Sequence, residues 1–410
     1  MIFSIELTTP TIILLSASLA CALLLIPLYL RRIARVSRHA AAQADDLADI
    51  AMPDNSEGFR IEETPGDLDL MSLEPASVVV YAQDEAESLA RLLPKLLGQN
   101  YPAGFEVIVV NEGASEATSD VVSALSMSHK NLYLTFTPDG ARNLSRKKLG
   151  MMLGIKAARN RVVVNTTAGV EIESPLWLTS MMRNFKNDGT EVVIGYALPA
   201  DTDTRMGRRR RAFDFTARAV AWLTSAISGR PYRGTEFNIA YTRELFFRNK
   251  GFSRSLNLRY GDDDIFISEI ATGANTAVEL SPESMVRIAF RNHRRGHAEL
   301  LRRHLFTGRY VSHASRRLMA LGGWLLWCVT GCAVAAAVIS LPNLVPAIAG
   351  AVIILATLIW TAIVWRNALT RLQSRRMLFT LPWLAMTLPL RNMAHTVAAR
   401  LRKGHDFTWH

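Results

Sequence analysis

Residues 77–113 read SVVVYAQDEAESLARLLPKLLGQNYPAGFEVIVVNEG. Ser77 to Glu85 is a valine-rich run that ends in polar residues, the pattern of a buried strand with a loop at its carboxyl end. Leu89, Leu92, Leu93, Leu96 and Leu97 then recur at helical spacing. Pro94 falls inside that helix, and Gly98 and Pro102 end it. Phe105 to Gly113 is a second apolar strand. Strand, helix, strand in this order predicts a parallel α/β sheet covered on both faces.

The alternation continues downstream. Ser115 is placed to N-cap a helix through SEATSDVVSALS. NLYLTFTP is a third strand, RKKLGMMLGIKAARN a helix, RVVVNTTAG a fourth strand and EVVIGYALP a fifth. Ligands of such sheets bind beyond the carboxyl ends of the strands. Gln83-Asp84-Glu85, Asn111-Glu112-Gly113 and Thr166-Thr167-Ala168-Gly169 all fall at those ends. They are expected to converge although they are distant in sequence. No internal repeat is evident.

Outside this region the chain changes character. Leu7 to Leu30 is a run of 24 residues without a charge, enough to cross a hydrocarbon core of roughly 30 Å as a helix. Arg31, Arg32, Arg35 and Arg38 follow it, and only Glu6 precedes it. A cleaved signal peptide would place its positive charge first, so the order predicts a retained anchor with the following domain in the cytoplasm. Leu318 to Trp365 is a second uncharged run, 48 residues long, broken by Pro342, Asn343 and Pro346. It predicts two spans joined by a tight outer turn, with arginines on both inner flanks. The expected division is an outer N-terminus (1–6), a spanning helix (7–30), a basic then polar linker (31–74) and a cytoplasmic domain (75–286). A basic membrane-interface region (287–317), spanning helices at 318–341 and 344–365, and a cytoplasmic interfacial or re-entrant tail (366–410) complete it. The expected location is the inner (cytoplasmic) membrane, as a multi-pass protein.

The net charge of +11 comes from 47 Lys and Arg against 36 Asp and Glu. Nine Arg and four His lie between Arg287 and Arg317, and five Arg between Arg205 and Arg211. Nucleic-acid binding would need aromatic stacking platforms among such charges. Here they adjoin apolar or amphipathic segments instead, which fits attraction to anionic lipid, so no nucleic-acid partner is expected. Cys21, Cys328 and Cys332 all lie in the apolar runs, which removes disulfide and zinc-site readings.

The ordered set VVVYAQDEAESLARLLPKLLGQNYP…EVIVVNEGASEAT, RKKLGMMLGIKAA, SPLWL, YRGTEFNIAYTRELFFRNKGF, LRYGDDDIFISEIATGANTAVELSPES and LLRRHLFTGRY resembles membrane-anchored glycosyltransferase family 2 over about Ser77 to Tyr310. The resemblance implies a GT-A fold with a mainly parallel central sheet, and inverting transfer of a sugar from a nucleotide sugar to a membrane lipid, lipid-linked glycan or polysaccharide acceptor. By its register Asp263 is the general base, with Asp262 and Asp264 beside it. Adjacent carboxylates raise one another's pKa, which suits a group that accepts a proton near neutrality. Glu85, Asn111 and Glu112 would form the nucleoside wall, with Asn111-Glu112 standing where the family has two aspartates. The Asn111 amide oxygen can still accept from a base imide. Lys147 and Arg303 would face the phosphates, and Gly234, Glu236 and Asn238 the acceptor.

Two departures bear on the chemistry. The family's metal-binding Asp-x-Asp is replaced by Thr167-Ala168-Gly169, so the implied divalent cation, Mg²⁺ or Mn²⁺, lacks the carboxylates it ordinarily needs. Glu171 and Glu173 are the nearest substitutes. Asp201 to Asp203 and Asp67 to Asp69 are other acidic pairs, read as a solvated loop and as linker. In the membrane-proximal Gln-x-x-Arg-Trp motif, Leu300 and His304 replace the Gln and the Trp around Arg303. The competing expectation is a non-catalytic homologue that binds partners in a glycan-assembly complex.

Overall fold

The computed structural model describes residues 8–48, 73–137, 144–200, 206–290, 293–312, 314–374 and 377–401. The expected outer N-terminus (1–6) and the Asp67–Asp69 and Asp201–Asp203 pairs lie outside the described residues. The chain divides into two compact units: 1–38, 204–224 and 313–401 form one, and 39–203, 225–312 and 402–410 the other.

The second unit is built on a sheet whose strands are β1 (Ala76–Gln83), β2 (Phe105–Glu112), β3 (Leu132–Phe136), β4 (Val162–Thr167), β6 (Val192–Ile194), β8 (Ile239–Thr242) and β9 (Thr276–Val278). Their order is β3-β2-β1-β4-β8-β6-β9. A small second sheet holds β5 (Val170–Ile172), β10 (Val286–Ile288) and β7 (Ala197–Pro199), in that order. Pairing is parallel from β3 through β4, and β8 runs antiparallel to both β4 and β6. The sheet is therefore mainly parallel, as expected. Val78 to Val80, Val107 to Val110 and Val162 to Val164 are buried, which is why these strands read as continuous apolar runs rather than alternating ones.

The chain reverses its winding at β1, whose neighbours are β2 and β4. The loops after β1, β2 and β4 open at this switch point, where α/β sheets bind ligands. Asp84 and Ala114 hold positive φ there, at 49° and 48°, strain of the kind that gathers at functional edges. The helix Arg146–Ala157 lies close on the sheet because its contact face carries glycines. A Cβ on Gly154 would come within 2.7 Å of Val110 and 2.8 Å of Val79.

The fifth predicted strand is in fact two, β6 and β7, in different sheets. The chain bends at Gly195, where an added Cβ would meet the Asn238 amide nitrogen at 2.5 Å. That amide donates to Tyr196 O at 3.0 Å and Ser284 O at 2.7 Å, and so holds the bend. The fourth predicted strand likewise ends at Thr167 and turns into β5. At the sheet edge, Gln43 donates to Val278 O at 2.8 Å and accepts from Leu280 N at 2.6 Å. This covers an exposed ladder of β9 with a side-chain amide.

Among the described residues three helices are long and apolar enough to cross a membrane: Thr9–Asp45, which lies in the first unit as far as Arg38, and Arg317–Ile339 and Val345–Arg371, both in that unit. The first passes through a π-helical turn at Ile26–Leu30 that contains Pro27, a usual site for such a bulge because proline removes a donor. Helix then continues over Arg31–Ala48, where a linker was expected. Ile33, Val36 and Ala40 fall on one buried face, so the segment is amphipathic and helical despite its arginines. Residues 204–224 belong to this unit although they fall inside the 75–286 span. Asp214 of this segment accepts from Arg391 at 2.6 Å, and Phe213 packs edge-on to Trp365 at 4.9 Å.

Candidate active site

Four segments of the second unit bring charged side chains to one cleft. Lys147 is in the first turn of the helix Arg146–Ala157, which Ser145 N-caps by accepting from Lys148 N. Asp262 and Asp263 follow Gly261, whose φ of 103° suits glycine. A Cβ there would also strike Ile265 at 2.5 Å. Glu236 precedes β8, and Arg303 projects from the helix His293–Thr307. Lys147, Glu236, Asp262 and Asp263 line the cleft together with Tyr81 and Thr167.

The geometry is a dense ion-pair network. Lys147 Nζ contacts Glu236 and lies 2.5 Å from Asp262. Arg303 donates to both Glu236 oxygens, the second at 2.9 Å, and to Asp262 at 3.3 Å. Its guanidinium also sits 5.4 Å from the Tyr260 ring centre. Burial opposes ionisation of Asp262, but Lys147 and Arg303 outweigh it and hold this carboxyl well below the ordinary range. Asp263 Oδ1 accepts from Asp264 N at 2.8 Å and Oδ2 from Glu236 N at 3.3 Å. Asp263 is thus a helix N-cap and a cleft-wall residue at once.

The expectation that adjacent carboxylates raise one another's pKa describes Asp264 and not Asp262. Burial, with the Asp263 charge beside it, pushes Asp264 up to about 7 against the pull of Arg233. Asp264 faces away from the cleft wall toward Arg233, at 2.8 Å, and Thr307, at 2.5 Å. Cations, absent from a reading of adjacent carboxylates, separate the behaviour of Asp262 from that of Asp264.

The other expected residues divide. Asn111 is wholly buried; its amide donates to Ser115 O at 2.9 Å, and among the described residues its Oδ1 receives no hydrogen bond. Glu112 accepts from Tyr81 OH and from Gln83 at 3.3 Å, and burial raises its pKa. Glu85 reaches the third loop: its Oε1 lies 3.3 Å from where a Cβ of Gly169 would stand. Gly234 and Asn238 do not line the cleft. Gly234 packs against Ile239 and Ile267, and Asn238 holds the Gly195 bend. Glu236, expected with them on the acceptor side, stands between the two cations. Glu173 turns to Arg287 at 2.7 Å.

Sequence reasoning missed Lys148. Its ammonium is fully buried and donates to Ser255 O at 2.5 Å, Leu258 O at 3.1 Å and Tyr260 O at 2.9 Å. Those carbonyls belong to the segment that leads into Gly261. Burial lowers the Lys148 pKa to about 8. The signal was present: Lys148, Met151 and Ile155 lie on one helical face, so Lys148 is a charge on an apolar stripe.

The residues do not fit the metal that the resemblance implies. Thr167 and Gly169 offer no carboxylate. Among the described residues, no three His, Cys, Asp or Glu side chains are grouped to hold an ion. The cleft carboxylates are already matched to Lys147 and Arg303.

Residues 77–257 match the family Glycosyl transferase family 2. This segment is a family 2 glycosyltransferase domain. Its mainly parallel sheet, with β8 inserted antiparallel, is a GT-A arrangement. No curated protein matches the chain. Among solved structures it is similar to a mannosyltransferase from Pyrobaculum calidifontis in complex with GDP-Man and Mn²⁺, at 18% identity and a TM-score of 0.49, over 95% of this chain and 99% of that one. It is also similar to glucosyl-3-phosphoglycerate synthase from Mycobacterium tuberculosis in complex with Mn²⁺, UDP-Glc and phosphoglyceric acid, at 17% identity and a TM-score of 0.39, over 66% of this chain and 85% of that one. The ion-pair cleft lies at the carboxyl ends of β1 and β4. The segment carrying Asp262 to Asp264, and Arg303, lie beyond the matched residues.

Proposed function

We propose that the chain is an inverting glycosyltransferase. It moves a sugar from a nucleotide-sugar donor to a lipid-linked or polysaccharide acceptor at the cytoplasmic face of the membrane. The observation that carries this reading is that Asp263 lines the same cleft as Lys147, with the Arg303 guanidinium 3.9 Å from its carboxylate. A general base and a pair of phosphate-binding cations are what the chemistry requires on opposite sides of the anomeric carbon.

Asp263 takes the proton of the acceptor hydroxyl as that oxygen attacks the anomeric carbon. The bond to the diphosphate breaks on the opposite face, and Lys147 and Arg303 neutralise the leaving charge. Glu85, Asn111 and Glu112 form the nucleoside wall. The buried Asn111 Oδ1, which receives no donor among the described residues, supports a base imide as its partner. Asp262 orients the two cations, and Asp264 ties the following helix to Arg233. The basic interface between Arg287 and Arg317 supports an anionic lipid or lipid-linked acceptor.

The test is release of nucleoside diphosphate by the purified full chain in detergent, across a panel of nucleotide sugars and lipid-phosphate acceptors. Asp263→Asn is expected to lower turnover by about a hundredfold or more with thermal unfolding unchanged. Retained turnover in that variant removes Asp263 from the role.

The absence of carboxylates at Thr167 and Gly169 favours a second reading, a non-catalytic subunit that organises glycan assembly. That reading gains if Asp263→Asn leaves cellular glycan unchanged while deletion of the gene abolishes it.

A further inference from the structure

The cleft is closed from within by Glu236. Its carboxylate sits in the guanidinium fork of Arg303 and against the ammonium of Lys147. The side chains of Lys147, Glu236, Asp262 and Arg303 are 18%, 8%, 7% and 13% exposed, so water does little to screen them. The space left beside them is about 20 Å³, room for roughly one water molecule.

A fork of two guanidinium donors with an ammonium beside it is a phosphate-binding arrangement. Lys147 also stands in the first turn of a 12-residue helix, whose dipole attracts anions. Glu236 therefore occupies an anion seat with one of the chain's own carboxylates.

Three carboxylates face these cations: Asp263, 3.9 Å from Arg303, is held as an N-cap by Asp264 N, and of Asp262 and Glu236 it is Glu236 that can leave. Asp262 follows a segment whose carbonyls at Ser255, Leu258 and Tyr260 are clamped by Lys148. Glu236 comes from an irregular stretch before β8 and has one more side-chain torsion. A divalent cation in the same place would stand against Lys147 and Arg303, with no carboxylate at 167–169 to hold it.

We infer, building on the glycosyltransferase reading above, that the donor's diphosphate is gripped by Lys147, Arg303 and the helix N-terminus without a divalent cation, and takes that seat by displacing the carboxylate of Glu236. Glu236 then sets a threshold. A ligand must bring enough negative charge to replace it, so a diphosphate enters and a nucleoside does not.

The experiment is calorimetric titration of the full chain in detergent with UDP, GDP, ADP, CDP and dTDP, first in EDTA and then in Mn²⁺ or Mg²⁺. At least one nucleotide is expected to bind in EDTA within about threefold of its affinity with metal, and inorganic pyrophosphate is expected to compete with it. Glu236→Gln is expected to tighten binding by about threefold or more. Arg303→Met is expected to weaken it by about tenfold or more, the loss of a paired charge-assisted contact. Binding that needs the metal overturns the inference and leaves the glycosyltransferase reading standing. Failure of every nucleotide under both conditions removes both. Unchanged or weaker binding by Glu236→Gln overturns the displacement. If that variant does not fold, the comparison of EDTA with metal on the wild-type chain still decides.

Discussion

The buried ammonium of Lys148 donates a 2.9 Å hydrogen bond to the carbonyl of Tyr260, the residue immediately before the Gly261 turn. Through this contact, and those to Ser255 and Leu258, a helix of the parallel half of the sheet fixes the loop that presents Asp262 and Asp263. Lys148→Met would leave three buried carbonyls without their donor, at about 1–3 kcal/mol each. We expect a loss of at least about 3 kcal/mol, read as a fall in unfolding temperature. Faster hydrogen exchange should be confined to residues 255–264. A variant with wild-type stability and exchange would show that the clamp is dispensable.

Gly154 lets the same helix approach β1 and β2. In Gly154→Ala the new methyl meets Val110 and Val79 at under 3 Å. The helix must shift, at about 1–3 kcal/mol for overpacking, although alanine is the better helix former. Denaturant titration should show destabilisation; a gain in stability would mean the helix stands further from the sheet than described.

Asp264 makes stability depend on pH. Burial raises its carboxyl to about 7 in the folded chain, against about 3.9 unfolded. The folded state then holds the extra proton between roughly pH 4 and pH 7, so the stability this group contributes is full below about pH 4 and lost as pH rises through 7. The slope is up to about 1.4 kcal/mol per pH unit. Asp264→Asn should flatten that part of the profile relative to wild type. An unchanged difference between the two from pH 4 to pH 8 would place the titration elsewhere.

In the other unit, Arg391 makes a paired contact with Asp214, at 2.6 and 3.2 Å, with side chains 14% and 11% exposed. Removing one partner of such a pair leaves a largely buried charge, at about 3–5 kcal/mol. Arg391→Met should lower the unfolding temperature in detergent more than the double variant Arg391→Met with Asp214→Leu. Equal losses would show that the pair is not coupled.

Much of the architecture was legible in the chain. The valine runs at 77–85 and 105–113, and the glycine- and proline-ended helix between them, correspond to β1, β2 and Ala86–Leu97. The apolar runs likewise correspond to the three long helices. These are local properties: side-chain period, turn residues and length above that of the hydrocarbon layer. The expected linker begins at 31, yet residues 31–48 are helical, because Ile33, Val36 and Ala40 recur at helical spacing and are buried. The single strand read at EVVIGYALP hid a bend that depends on Asn238, some forty residues away.

By itself the sequence determined an α/β domain and three long apolar helices, because periodicity and residue order are written along the chain; Asp262, Asp263, Lys147 and Arg303 entered as site residues only through the resemblance. Only the tertiary structure decided that Glu236 closes on both cations, that Asp262 is held ionised while Asp264 is raised, and that Lys148 is a clamp. Each of these is set by distance and burial among residues far apart in the chain, and electrostatic energy depends on that separation and on excluded water rather than on sequence order.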